Sequence, residues 1–162
     1  MGKIVLTRLD YRMVHGQIAV TIINRYNVNS VFVVDDEVAK NKIVCDILRF
    51  GMKPGVSLEV IPVDEAVEKF KNDCFGDGNH LVIFREAKVA YEAWNKGLKF
   101  EELNVGQSQL TPDRQKVYRS ISLNKEEALM LKELDTNGVH VYFKPLPDDL
   151  EIGVDEVLKK FN

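Results

Sequence analysis

Apolar residues in this chain fall into short continuous runs, separated by stretches in which they recur every three or four positions. Residues 3–9 (KIVLTRL), 30–34 (SVFVV), 56–61 and 80–84 (HLVIF) are dense in apolar and β-branched side chains, as strands buried on both faces of a sheet require. Residues 103–105, 117–121 and 139–144 read as three further strands. Helical periodicity fills the intervals at 17–26, 37–50, 64–71, 87–95, 124–134 and 155–160. The segment 17–26 (QIAVTIINRY) carries a weaker helical signal, because β-branched side chains lose rotamer freedom in a helix. In 37–50, Val38, Val44, Ile47 and Leu48 share a face, and Gly51 supplies a stop. Asn124 with Glu127 three positions later forms a capping box, and Gly138 closes that helix.

Seven strands alternating with about six helices predict a three-layer α/β/α fold with a mostly parallel sheet. The 162 residues suit one domain spanning 1–162, with no linker or internal repeat. Ligands of such sheets gather at the carboxyl ends of the strands, where strand order reverses.

Charge and composition narrow the function. A formal charge of −3 makes nucleic acid a poor partner, since phosphate backbones reward excess Lys and Arg. Cys45 and Cys74 are far apart without CxxC spacing, so neither a disulfide framework nor a zinc site is expected. No run approaches the ~18 apolar residues of a membrane span, and the start of the chain does not read as a signal peptide. A cytoplasmic protein, docking peripherally on a membrane partner at most, is the expectation. Asp35, Asp36 and Glu37 read as a helix-start cluster rather than a metal site. His80 and His140 lie in strand-like runs without a constellation around them. Tyr91 and Trp94 read as core, and Lys125, Glu126, Glu127, Lys132 and Glu133 as a solvated helix face.

Chemistry concentrates in one place. Thr7-Arg8-Leu9-Asp10-Tyr11-Arg12-Met13-Val14-His15-Gly16-Gln17 packs two arginines, an aspartate and a histidine between the first strand and the first helix. The arrangement offers an anion free backbone N–H groups, a helix N-terminus and guanidinium donors. Histidine is the side chain suited to accept and release a phosphoryl group, because its neutral ring is nucleophilic near physiological pH. Phosphoryl transfer asks mainly for positioning and charge neutralisation. Arg8 and Arg12 are candidates for both, Asp10 for orienting an arginine or the imidazole, and Gly16 for close backbone approach. No metal or other cofactor is needed. The competing reading is a surface ion-pair cluster with a histidine at a helix start, which contributes little.

The stretch Arg8-Leu9-Asp10-Tyr11-Arg12-Met13-Val14-His15-Gly16-Gln17 resembles the R-[IL]-D-x-R-[LVM]-[IV]-H-G-Q signature of the mannose/fructose/sorbose-type IIB components of sugar phosphotransferase systems. Val33-Val34-Asp35-Asp36-Glu37-Val38-Ala39, Pro54-Gly55-Val56 and Asn104-Val105-Gly106 extend the likeness in the expected order. The resemblance implies a carrier that takes a phosphoryl group from a IIA phosphohistidine onto His15, through Nδ1. It would then pass the group to a sugar held by a membrane IIC–IID permease. By position it assigns phosphate stabilisation to Arg8 and Arg12, and places Asp10, Gly16 and Gln17 in the same site. Two departures stand out. Val20-Thr21-Ile22-Ile23 replaces a tryptophan-containing stretch, and Gln107-Ser108 replaces the usual glycine and methionine. The alternatives are a phosphorylation-sensing module of the same fold and a histidine-phosphatase-like hydrolase. The latter lacks the arginine next to its histidine, since Val14 stands there.

Overall fold

A computed structural model describes residues 2–161, with the side chain of Gln17 outside the described set. The chain runs β1 (Lys3–Asp10), α1 (Gly16–Arg25), β2 (Ser30–Val34), α2 (Asp36–Ala39), α3 (Lys42–Phe50) and β3 (Ser57–Ile61). It continues through α4 (Val63–Asp73), β4 (Asn79–Phe84), α5 (Ala87–Lys96), β5 (Glu102–Gln107), β6 (Gln115–Tyr118) and β7 (Ile121–Leu123). The last elements are α6 (Lys125–Thr136), β8 (His140–Phe143), β9 (Ile152–Gly153), α7 (Val154–Leu158) and a 3₁₀ turn at Lys159–Phe161.

Seven strands form the central sheet in the order β3-β2-β4-β1-β5-β8-β9. The pairings among the first six strands of that order are parallel, and β9 lies antiparallel on β8. Two apolar layers cover the sheet. On one face Ile22 and Ile23 of α1, Val38 of α2, and Cys45 and Leu48 of α3 pack with Leu6, Val31, Val33, Leu81 and Ile83. On the other face α4, α5, α6 and α7 bury Ala66, Ala90, Leu131 and Val157 against Leu9, Phe84, Val105 and Phe143. This is the expected three-layer architecture, and burial on both faces explains the near-continuous apolar runs of β2 and β4.

The strand order also locates the site. β1 sends its connection through α1 over one face, while its neighbours β4 and β5 lead into α5 and α6 on the other. The carboxyl end of β1 is therefore the reversal point where such sheets open a crevice.

Three elements differ from the sequence reading. The helix expected over 37–50 is two, because the Asn41 side chain accepts the Val44 N–H and starts α3 anew after α2. The acidic cluster before it is consumed locally: Asp35 caps α2, and Asp36 accepts the Val63 N–H at the start of α4. The strand expected over 117–121 is a separate hairpin, β6–β7, turning at Arg119 with φ of 47°. The seventh strand of the sheet is instead β9, two residues long and too short to show periodicity. Glu127, expected on a solvated face, is buried. It completes the capping box with Asn124 and accepts two Arg114 hydrogen bonds at 2.9 and 2.8 Å.

Candidate functional site

The site is built where β1 stops being regular. Arg8 pairs with Asn104 and Leu9 with Val105, but the register then shifts, so that Asp10 stands opposite Gln107. Strand alternation puts Leu9 in the helix α5–α6 layer and leaves Arg8 and Asp10 on the α1 side, beneath the loop that follows. Both are buried, at 3% and 1% exposure. The competing reading of Arg8 and Asp10 as part of a surface ion-pair cluster is thereby removed, because both lie inside the molecule.

Asp10 organises that loop. Its Oδ1 accepts the Arg12 N–H at 3.0 Å, and its backbone carbonyl accepts the Met13 N–H at 3.0 Å. Met13 takes φ of 62° in this tight turn, while its side chain and that of Val14 pack on the α1-side core. The Tyr11 N–H donates to the Gln107 carbonyl, so the Gln107-Ser108 departure touches the loop directly. Ser108 is buried and ties β5 to β7, accepting the Ser122 N–H and donating to the Ser122 carbonyl.

His15 is the N-cap residue of α1, half-buried and in extended conformation (φ −155°, ψ 144°). Its ring Nε2 lies 3.3 Å from Asp10 Oδ2. A carboxylate can only accept, so the hydrogen in this contact sits on Nε2, and Nδ1 is the ring nitrogen not engaged by Asp10. His15 makes no side-chain capping bond to α1, and the first turn holds no acidic residue. The N–H groups of that turn and the positive end of the helix dipole therefore face outward beside the ring. Gly16, with φ of 49° and no atom within 4 Å of where a Cβ would project, shapes the entry to the helix.

The two arginines part company. Arg12 is exposed, and among the described residues its guanidinium has no partner. Arg8 is saturated. Its Nε and Nη2 both lie 3.3 Å from Asp10 Oδ2. Nη1 donates to Asn104 Oδ1 at 2.6 Å, and Nη2 to the Pro145 carbonyl at 3.0 Å. Burial pulls the Arg8 guanidinium below its usual range and the Asp10 carboxylate pulls it back up. Asn104 is held in turn by donating to the Lys144 carbonyl at 3.1 Å. The sequence reading gave Asn104 no role beyond its motif, and nothing in the sequence marks the Pro145 carbonyl.

The remaining expectations fall away from this crevice. His80 begins the regular part of β4 at the opposite end of the sheet, buried and bonded to the Gly76 carbonyl at 2.8 Å. His140 opens β8, exposed, paired with Glu151 and stacked on Tyr142. No second histidine joins His15, as a histidine-phosphatase reaction would need. Both cysteines are free. Among the described residues no cluster of three or more His, Cys, Asp or Glu side chains could hold a metal ion. Among the described residues no helix is long and apolar enough to cross a membrane. The expectation for the Gln17 side chain lies outside the described residues.

The family described as PTS system sorbose subfamily IIB component matches residues 4–162. The sorbose-specific EIIB component of Lacticaseibacillus casei is 24% identical over 161 residues, which cover 97% of this chain and 98% of that protein. The mannose-specific EIIAB component of Escherichia coli (strain K12) is 23% identical over 97% of this chain, but only 49% of its own length is matched. The crystal structure of manxB from Thermoanaerobacter tengcongensis superposes with a TM-score of 0.91 at 30% identity, over 99% of this chain and 98% of that one.

Proposed function

Because this chain belongs to the sorbose subfamily of phosphotransferase-system IIB components, we propose that His15 carries the phosphoryl group between a IIA phosphohistidine and a sugar. The observation that carries this reading is the placement of one ring. Nε2 is tied to Asp10 at the start of α1, and Arg12, three residues before His15, has no side-chain partner among the described residues. A phosphoryl group on Nδ1 would meet the helix N-terminus, and the exposed Arg12 guanidinium is available to bind its oxygens.

In the forward step the Nδ1 lone pair forms a bond to phosphorus as the donor's N–P bond breaks. The donor ring keeps that electron pair and, with the hydrogen on its other nitrogen retained, leaves as a neutral imidazole. Nε2 retains its hydrogen, so the phosphorylated ring of His15 develops positive charge, which the Asp10 carboxylate stabilises. Arg12 and the first-turn N–H groups of α1 neutralise the transferring oxygens, which is most of what phosphoryl transfer asks of a protein. In the second step a sugar hydroxyl oxygen bonds to phosphorus as the Nδ1–P bond breaks. The ring recovers its lone pair and returns to neutral, and the hydroxyl proton passes to a base on the permease side or to solvent.

The partners follow from the same reading. A IIA protein or domain supplies the phosphate, and the E. coli relative joins A and B components in one protein by name. A membrane IIC–IID permease presents the sugar, with this chain docking from the cytoplasmic side.

Intact mass is the test. After incubation with phosphoenolpyruvate, the general phosphotransferase proteins and a matching IIA, the wild type gains one phosphoryl group that is acid-labile and base-stable. His15→Ala gains none. Equal phosphorylation of both proteins, or none of the wild type by any of several phosphorylated IIA donors, would end the carrier reading.

A further inference from the structure

The contact between His15 and Asp10 carries a problem of charge. A carboxylate 3.3 Å from Nε2 orients the imidazole, but it also favours the ring protonated on both nitrogens. Such a ring has no lone pair with which to attack phosphorus. The nucleophile needs the orientation that Asp10 gives without the full pull of its charge.

Arg8 provides the offset. Two of its nitrogens share the same Asp10 oxygen that His15 uses, and the Arg8 side chain is only 4% exposed. The rest of its fork is committed to Asn104 and the Pro145 carbonyl, residues 96 and 137 positions away along the chain. It lies flat against the one β5 residue that permits it: a Cβ at Gly106 would stand 2.1 Å from Arg8 Cζ. All three of its nitrogens are thus engaged within the protein.

We propose that Arg8 is a positioning residue, a buried counter-charge locked on β5 by Asn104, Gly106 and the Pro145 carbonyl, that keeps His15 a neutral, Nε2–H imidazole. This rests on the reading of His15 as the carrier. It assigns Arg8 a role other than the phosphate contact expected from the signature and leaves that contact to Arg12. Asp10 on β1, Arg12 in the loop and Tyr26 and Tyr142 are the charged or titratable groups nearest the pair, while Arg25, Glu102, His140, Lys144 and Glu151 line the groove on the far side of Arg8. The cavity beneath the ring is otherwise apolar, lined by Met13, Val14, Ile18, Ala19, Ile22 and Ile83. Burial pushes the Tyr142 hydroxyl upward, so it stays uncharged. Arg8 is therefore the cation that balances Asp10 from inside the molecule.

The ring ¹⁵N shifts of His15 at neutral pH, recorded without any phosphate donor, test this directly. The wild type shows a neutral ring with its hydrogen on Nε2. Arg8→Met biases the ring toward imidazolium by roughly ten- to a thousandfold, the usual reach of an unbalanced carboxylate at this distance. Arg8→Met/Asp10→Asn removes both charges and returns the ring to neutral. If Arg8 instead bound phosphate, Arg8→Met would leave the ring as in the wild type, and that result overturns the proposal. Should Arg8→Met fail to fold, judged by its amide spectrum, Asn104→Asp keeps the side-chain shape. It gives Arg8 a second carboxylate to serve, so the ring shifts toward imidazolium; an unchanged ring in this folded variant also overturns the proposal. Because no donor is present, failure of the carrier reading registers separately, in the mass measurement.

Discussion

Arg12 is exposed and His15 half-buried on a loop whose anchors are inside, and this division decides what single substitutions do. Arg12 donates to Asp10 only through its backbone, and its side chain touches no described group. Arg12→Ala is expected to leave stability within ~0.5 kcal/mol of the wild type, while slowing phosphoryl acceptance by about 10²–10³, as loss of a charge-stabilising donor does. Stopped-time mass measurements and a urea melt check both halves, and an unslowed variant would remove Arg12 from the chemistry. Arg12→Lys is expected to recover only part of the rate, since ammonium is a point charge without the planar fork. Gly106 is the opposite case, remote from the loop yet strict. Gly106→Ala drives a methyl into the Arg8 guanidinium and is expected to cost roughly 1–3 kcal/mol, as overpacking of a buried site does. A denaturation midpoint equal to that of the wild type would mean that Arg8 moves aside at little cost.

At the scale of elements, α6 shows how a helix start is coupled to the rest of the fold. Asn124 accepts the Glu127 N–H at 2.8 Å, and Glu127 returns a carboxylate to the Asn124 N–H at 3.0 Å. Glu127 also takes both arms of Arg114 from the polar loop before β6, so the capping box doubles as the clamp that holds that loop. The cap of α3 is a plain one, with exposed Asn41 accepting one N–H at 3.2 Å. Asn124→Ala is therefore expected to cost about 1–2 kcal/mol and Asn41→Ala about half as much or less. Paired urea melts decide it, and equal losses would mean that the Arg114 clamp is uncoupled from the cap.

The whole molecule presents one unevenly covered face, and its electrostatics record this. Helix α1 covers the sheet beside β1, but beyond it Glu102, Asn104, His140 and Tyr142 line an open groove with Arg25 and Lys144, about 260 Å³ in volume. Partial burial there raises the Glu102 carboxyl, with His140 opposing and Glu151 and Glu101 adding to the rise. A carboxyl raised on folding binds its proton more tightly in the folded state. Its favourable contribution is thus full below the ordinary carboxylate range and is lost as pH rises through the folded value. Glu102→Gln is expected to be more stable than the wild type near pH 7, with the difference shrinking toward pH 4. Thermal melts across that range test the sign, and a gap that widens on acidification would refute it.

The sequence by itself determined the order of the main elements and the three-layer class, because apolar period and capping residues are local and act within a dozen positions. It also placed the reactive types together, since residues 8–16 form one strand end, one loop and one helix start. Only the tertiary structure decided how they divide. Arg8 and Arg12 look alike as letters four apart, yet strand alternation and the register shift beyond Leu9 turn one inward onto Asn104 and Pro145 and leave the other outside. The same holds for the sheet. A two-residue strand such as β9 has no period to read and exists because β8 offers it an edge, whereas residues 117–121 had the composition of a strand but paired only within their own hairpin. Pairing across long sequence separations depends on which edges and cavities the assembled core leaves open, and no local pattern carries that information.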